Sequence, residues 1–404
     1  MKPLADRVQT VVRTLAVLCG ISCAWSIPII GQVEVSDSAG VRLVTSHRPV
    51  WGSESRWYVS PHPRLTVGVV EGDPVYQFRY IRAAILDASQ RLTVVDSDSP
   101  MLRQYDAQGI HIRSTGREGR GPGEFRVPLR LVRDSVGQLL VWDAVQRRIT
   151  WFTADLEVVR TERLTGPRAF HVGALLPNGW RVMPVFYQAV QPTQAGPWRP
   201  TAPLVLLAPN AAAGDTLMEY RGAEMMARAD GTARSYAFPR KTIVTAGGSP
   251  LRIVVGDTET FDIAVFSSHG TLTMRVRRSS RLQRVTREDV ARFRRDQLAA
   301  LEGVPNEQFW RRRLADVSGP PTFPAFADLH VDSGGHLWVQ EYHPFEPMKR
   351  LFAVFDSDGR WLGEVVLPDN LNVLSIGVDY LVGWTPDGLD TPSVGVYDLI
   401  REHE

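Results

Sequence analysis

The sequence predicts an all-β fold: a six-bladed β-propeller with four-stranded blades, an N-terminal strand closing the last blade, and one helical insertion. Two recurring phrases and their spacing lead there. In the first, Phe78, Phe125 and Phe323 are each followed nine residues later by an aspartate, Asp87, Asp134 or Asp332. Five residues further on a leucine opens an apolar run: Leu92, Leu139 or Leu337. Phe238 to Leu251 is a near copy, one residue shorter. In the second phrase an aromatic residue ends an alternating run and a turn follows. It reads Tyr105-Asp-Ala-Gln-Gly109, Phe152-Thr-Ala-Asp-Leu156, Phe266-Ser-Ser-His-Gly270 and Phe355-Asp-Ser-Asp-Gly359. Neighbouring copies lie about 42 to 47 residues apart where nothing is inserted, the period of one four-stranded blade.

Strands read as short β-branched and aromatic runs bounded by Gly, Pro, Asp or Asn. The first blade is predicted over Ile81–Asp87, Leu92–Ser97, Met101–Tyr105 and His111–Thr115. The second covers Leu129–Asp134, Leu139–Asp143, Ile149–Phe152 and Val158–Leu164. The third covers Phe170–Leu176, Trp180–Phe186, Leu204–Leu207 and Thr216–Tyr220. The fourth covers Thr242–Ala246, Leu251–Gly256, Asp262–Ser267 and Leu272–Arg277. The fifth covers Ala327–Asp332, Leu337–Glu341, Leu351–Phe355 and Trp361–Leu367. The sixth supplies only Val373–Val378, Tyr380–Trp384 and Val394–Asp398. Leu65–Val70 is the predicted fourth strand, closing the ring and covering an open sheet edge. Val41–Thr45 reads as a further strand without an evident partner.

Gly116–Phe125 (GREGRGPGEF) must cross from one blade to the next. Its glycines permit positive φ, Pro122 stiffens the crossing, and Phe125 is expected to pack between two sheets. A phosphate cradle would need a following helix N-terminus, and a strand follows instead. Two insertions break the period. Tyr187–Thr201 is a proline-rich loop. Arg281–Phe326 carries one clear helix opened by a capping-box-like Thr286-Arg-Glu-Asp289, then a second turn or two at Phe309, Trp310 and Leu314. Its arginines, Arg292, Arg294, Arg295 and Arg311–Arg313, form either a solvated face or an anion or partner surface.

With 22% charged and 44% hydrophobic residues, the 404-residue chain has ordinary globular composition. Residues 1–26 read as a secretory signal: Lys2, Arg7 and Arg13, then the apolar run Thr14–Trp25, too short to span a bilayer comfortably. A retained anchor and lipidation at Cys23 are alternatives, although Gly20 stands where a lipobox has leucine. Both cysteines, Cys19 and Cys23, fall in this segment, so the mature chain would have no thiol chemistry. Removing it leaves 43 basic and 43 acidic side chains of the original 46 and 44. A formally neutral protein argues against general nucleic-acid binding.

The phrases Gly72-Asp-Pro-Val-Tyr-Gln-Phe78, Gly121-Pro-Gly-Glu-Phe125, Val331-Asp-Ser-Gly-Gly-His-Leu-Trp-Val339 and Phe355-Asp-Ser-Asp-Gly-Arg-Trp-Leu-Gly363 carry a resemblance. From Val41 to the C-terminus the chain resembles the bacterial six-bladed β-propeller proteins related to NHL-repeat propellers. That resemblance implies fold and an exported, periplasmic or extracellular location, more than an activity. The third blade departs from the pattern, with Pro177-Asn-Gly179 in place of the aspartate turn.

No HExxH, nucleophile elbow or serine triad can be read from the sequence. His330, Asp332, His336, Glu341 and His343 are the nearest cluster of metal-ligating types, but Asp332 belongs to the repeated turn and His336 lies in it. The function expected is therefore a binding or interaction module. The alternative is a hydrolase or lyase, lactonase-like or amidating-lyase-like, with a divalent metal such as Ca or Zn in the central channel. Arg79 and Arg126 follow the repeated Phe in two linkers and are expected at the channel mouth with His171, Arg240 and Lys241. Arg147, Arg148 and Lys349 are expected on the same side. Their convergence suggests a small anionic ligand, an acidic glycan or a carboxylate-bearing metabolite, although Glu118 and Glu124 could neutralise the linker arginines instead. The remaining expectations are a protein partner as another possibility, no nucleic acid, no membrane span after processing, and a monomer.

Overall fold

The computed structural model describes residues 32–164, 172–185, 191–211, 213–301, 303, 306–386 and 392–402. The predicted signal segment and His171 lie outside the described residues. Among the described residues no helix is long and apolar enough to cross a membrane.

The chain opens with a hairpin, β1 (Val33–Ser38) and β2 (Val41–Ser46), then two short strands, β3 (Trp57–Val59) and β4 (Leu65–Val67). The first antiparallel sheet follows as β5 (Ile81–Leu86), β6 (Leu92–Asp96), β7 (Met101–Tyr105) and β8 (His111–Thr115). The second is β9 (Pro128–Arg133), β10 (Leu139–Asp143), β11 (Arg148–Phe152) and β12 (Val158–Arg163). The third uses β13 (Ala174–Leu175), β14 (Arg181–Pro184), β16 (Thr201–Leu207) and β17 (Asp215–Arg221), skipping β15 (Gly196–Trp198). β15 pairs instead with β18 (Met225–Ala227), which pairs with β19 (Ala233–Ser235), giving a three-stranded satellite sheet. The fourth sheet is β20 (Thr242–Gly247), β21 (Arg252–Asp257), β22 (Asp262–Ser267) and β23 (Leu272–Arg278). Two helices follow, α1 (Arg287–Ala300) and α2 (Glu307–Leu314). The fifth sheet is β24 (Asp328–Val331), β25 (Leu337–Gln340), β26 (Arg350–Phe355) and β27 (Trp361–Leu367). The sixth is β28 (Asn372–Ile376), β29 (Tyr380–Pro386) and β30 (Pro392–Arg401).

Burial explains why the strands take these places. The second and third strands of a sheet are apolar on both faces: every residue of β6 and β10 is buried, as in Leu139-Leu-Val-Trp-Asp143. Such a strand needs a packed layer on each side. Outer strands alternate, as β8 and β27 do, with one side toward solvent. Six apolar clusters each bridge two consecutive sheets. One joins Val95 and Leu102 of the first sheet to Leu139 and Phe152 of the second, and another returns from Val382 and Val396 of the sixth to Leu92 and Val94 of the first. The first strands touch in the same cyclic order, β5 with β9 through to β28 with β5.

Phe125 is fully buried between the first two sheets, as its position in the linker predicts. Of the linker glycines, Gly116 (φ 98°) and Gly123 (φ 72°) take the left-handed region, while Gly119 and Gly121 do not and instead leave room for the Glu124 side chain. Glu124 accepts from the Gly121 amide and Arg117, so the loop is stitched internally. The repeated turns work by side-chain capping. Asp87, Asp134 and Asp332 each accept the amide four residues on, as do Asp106, Thr153, Ser267 and Asp356 in the second phrase.

Several expectations need correcting. The closing strand ends at Val67 rather than Val70, and it shares the edge of β30 with β3, which pairs further along. Val41–Ser46 has a partner after all: β2 runs parallel to β23 and extends the fourth sheet. A parallel pairing between strands so far apart in sequence leaves no local pattern to read. The proline-rich insertion is not all loop, because β15 takes part in the satellite sheet. The helical insertion holds two helices, and the capping box forms between Thr286 and Asp289. Phe238 and Phe323 do not pack between sheets. They meet at 4.8 Å in a separate core beneath the helices, with Phe293 and Phe345. The insertion supplies apolar surface there that competes for those rings.

Candidate functional site

A cavity of about 420 Å³ is lined by first-strand residues. Arg82 stands on β5, Arg130 on β9, Ile243 to Thr245 on β20, Asp328 and His330 on β24, and Val373 and Leu374 on β28; Gly173 closes the third side and Lys241 precedes β20. Two β-bulges aim the strands here. On β5 the register shifts between Ile81 and Ala83, leaving Arg82 outside the ladder. On β9 the shift leaves Leu129 outside the ladder, and Arg130 next to it pairs with Trp142. A bulge turns a side chain away from the regular alternation. Asp96 and Asp143, buried at the ends of the two second strands, hold these kinks. Asp96 accepts from the amides of Arg79 and Tyr80, and Asp143 from those of Arg126 and Val127.

The cavity is electropositive. Arg130 donates to the Gly173 carbonyl at 3.3 Å, and Arg82 donates to Ser97 at 3.3 Å and lies over the Tyr80 ring at 3.8 Å. Among the described residues neither guanidinium, nor Lys241, forms an ion pair. Among the described residues Asp328 is the single carboxylate in the lining, 3.8 Å from His330. Arg130 and His330 are reachable by solvent yet ringed by protein, as groups in a narrow water-filled recess are. That enclosure pushes the His330 imidazole below its ordinary value; Asp328 opposes the shift and Arg130 adds to it. His330 is therefore neutral at pH 7. The same enclosure, with Arg82 nearby, lowers Arg130, while Asp328 raises it. Among the described residues, three cations and one carboxylate leave two positive charges facing the cavity.

Of the sequence-predicted site residues, Lys241 alone lines this cavity among those described. Arg79 and Arg126 hold their linkers by backbone amides, while their side chains reach Asp98 at 3.6 Å and Glu118 at 2.9 Å. Arg240 is buried and gripped by both Glu224 oxygens at 2.6 and 2.7 Å. It belongs to a network with Arg199, Arg221, Asp257 and Glu259. Burial pushes Glu259 up, and Arg221, Arg240 and Arg199 outweigh it and hold the carboxyl below the usual range. Arg148 is buried too, donating to the carbonyls of Arg120, Gly121 and Glu124, and Lys349 pairs with Glu346. Arg82 and Arg130 stand on first strands whose other residues are mainly Ile, Leu, Val and Ala, and an arginine interrupting such a strand is the sequence signal for them.

The suspected metal cluster disperses. His330 faces the cavity, whereas Asp332 is buried, accepting from Trp338 at 3.0 Å, Arg401 at 2.8 Å and the His336 amide at 2.9 Å. Among the described residues no three His, Cys, Asp or Glu side chains converge. Asp328 and His330 beside three cations are a poor donor set for a divalent metal, because the neighbouring charges repel it.

No family model matches the chain, and no curated protein matches it in sequence. Solved structures resemble it in fold. A "putative exported protein" of Bacteroides fragilis is 12% identical, with a TM-score of 0.48, covering 89% of this chain and 100% of its own. A member of the DUF4221 family from Bacteroides vulgatus is 10% identical, with a TM-score of 0.49, covering 86% and 99%. Virginiamycin B lyase from Staphylococcus aureus is 10% identical, with a TM-score of 0.42, covering 85% and 100%.

Proposed function

We propose that this chain is an exported six-bladed β-propeller that acts as a binding module for a small anionic ligand held in the cavity between its first strands. The observation that carries the reading is the set Arg82, Arg130 and Lys241, converging from three sheets with one carboxylate among them. Unpaired guanidiniums in a confined site attract carboxylate or phosphate strongly, since the low local dielectric weakens screening. The six-blade count is supported by six inter-sheet clusters and by the cyclic contact of the first strands; the satellite sheet stands outside that cycle. Export is supported by the basic and apolar character of residues 1–26, and N-terminal sequencing of secreted protein should begin between about residues 25 and 33.

The binding test is calorimetric titration of the mature protein with glucuronate, citrate and phosphate, with glucose as the neutral control. At least one anion should bind and glucose should not. Replacing Arg82 and Arg130 together by Gln should weaken binding about tenfold or more, the loss of a charge-assisted hydrogen bond. Unchanged anion affinity in a folded variant rejects the site.

A further inference from the structure

A second constellation lies away from the cavity, where the N-terminal hairpin meets the fourth sheet. Parallel pairing places Ser46 beside Arg278, so His47 and Ser279 leave the two strands side by side. Ser279 Oγ is 2.7 Å from His47 Nδ1, and His47 Nε2 is 3.2 Å from Glu34 Oε1. Glu34 comes from β1, diagonally across the hairpin from His47. A hydroxyl on an imidazole whose other nitrogen faces a carboxylate is the arrangement that activates a serine nucleophile. The Nε2–Glu34 approach is an ion-pair contact rather than a hydrogen bond, and the tautomer with hydrogen on Nε2 is the one that leaves the Nδ1 lone pair for the Ser279 proton.

Two further features fit acyl transfer. The Ser279 amide is used, donating to the Ser46 carbonyl at 3.0 Å, but the Ser280 amide donates to no acceptor among the described residues. A free backbone N–H on the residue after the nucleophile can receive a developing oxyanion. The residues flanking Ser279, Arg278 and Ser280, also line a recess of about 520 Å³ with Gln283, Tyr342 and His343. Ser279 itself is exposed.

We infer that Ser279, His47 and Glu34 form a hydrolytic site for small carboxylic esters, independent of the anion cavity. Ser279 Oγ attacks the ester carbonyl carbon while its proton passes to His47 Nδ1. The carbonyl electrons move onto oxygen, beside the Ser280 amide. Collapse of that adduct breaks the ester C–O bond, and the leaving alkoxide takes the proton from His47. Water repeats the attack on the acyl-serine and releases the acid. Glu34, within ion-pair distance of Nε2, is a positioning residue that acts through its charge on the imidazole.

The test uses the mature protein with a fluorophosphonate probe and with p-nitrophenyl acetate. Mass mapping should find the phosphonate on Ser279. Ser279→Ala and His47→Gln should each lower the enzymatic rate about 100-fold, the scale of lost nucleophile or base assistance. Glu34→Gln should lower kcat with KM unchanged and slow labelling in proportion, a response that a purely structural role would not give. Absence of a Ser279 adduct, or Ser279→Ala turnover within twofold of the parent, overturns the site. Anion binding in the cavity should be the same in all three variants, so the two sites fail or succeed separately.

Discussion

Arg240 and Lys241 are neighbours in sequence and stand in opposite electrostatic settings. Arg240 is buried against Glu224 and belongs to a network in which Arg199 and Arg221 also find Asp257 or Glu259. Lys241 faces a cavity with Arg82 and Arg130, where one carboxylate serves three cations. The difference teaches what each cluster is for. A buried charge matched by an opposite charge holds structure, and removing its partner is costly. Cations without an opposite charge in ion-pair range repel one another, and an anion placed among them would relieve that repulsion. Counting arginines along the chain cannot separate these cases; only their partners can.

The strongest way to break the comparison is at the paired cluster. Glu224→Ala leaves Arg240 buried with a weaker partner in Glu259, and it should cost about 3 kcal/mol in denaturant unfolding. A loss under about 1 kcal/mol would mean that the network is as dispensable as a surface pair.

Acid titration sharpens it. Burial pushes Asp332 up, but the His336 hydrogen bond, the Arg401 charge and Trp338 more than offset this and hold it below the ordinary carboxylate range. A depressed carboxyl contributes stability that is present above its unfolded pKa, about 3.9, and is lost as pH falls through the folded value. Asp332→Asn should therefore lower the melting temperature at pH 7 and flatten its fall below about pH 4. An unchanged acid limb would count against Asp332 as a contributor.

At the cavity the expected stability effect is smaller and opposite in character. Arg130→Gln removes one of two guanidiniums that repel each other, so unfolding free energy should stay within about 0.5 kcal/mol of the parent while anion affinity falls. A large destabilisation would place Arg130 with the structural group. Smallest of all is the pair Arg79→Ala and Arg126→Ala. Their partners Asp98 and Glu118 are exposed, so the double variant should lose less than about 1 kcal/mol and bind anions within twofold of the parent. A tenfold loss of affinity would return the linker arginines to the site.

Much of the fold was legible because it rests on local chemistry. A turn whose Asp side chain caps the amide four residues on needs only a handful of consecutive residues, so Asp87, Asp134 and Asp332 announce it in sequence. Runs buried on both faces, as in β10, announce central strands. The site was much less legible. Arg82 reaches the cavity from a bulge and Arg130 from the position next to one, at Leu129, and a one-residue shift of register changes which side chain faces inward. Arg79 and Arg126 occupy the repeated positions, yet it is their amides that are used.

By itself, the sequence determined the period, the sheet-forming runs, the capped turns, the helix start at Thr286 and the inter-sheet place of Phe125. All of these follow from spacing and side-chain type over short stretches of chain. Tertiary structure alone decided that Phe238 and Phe323 serve the helical insertion, that β2 lies parallel to β23, that Arg240 is neutralised while Lys241 is not, and that Ser279 meets His47. Each of these depends on what residues far apart in the chain place beside one another. Charge pairing and hydrogen bonding act over a few ångströms of space, and sequence separation carries almost no information about that distance.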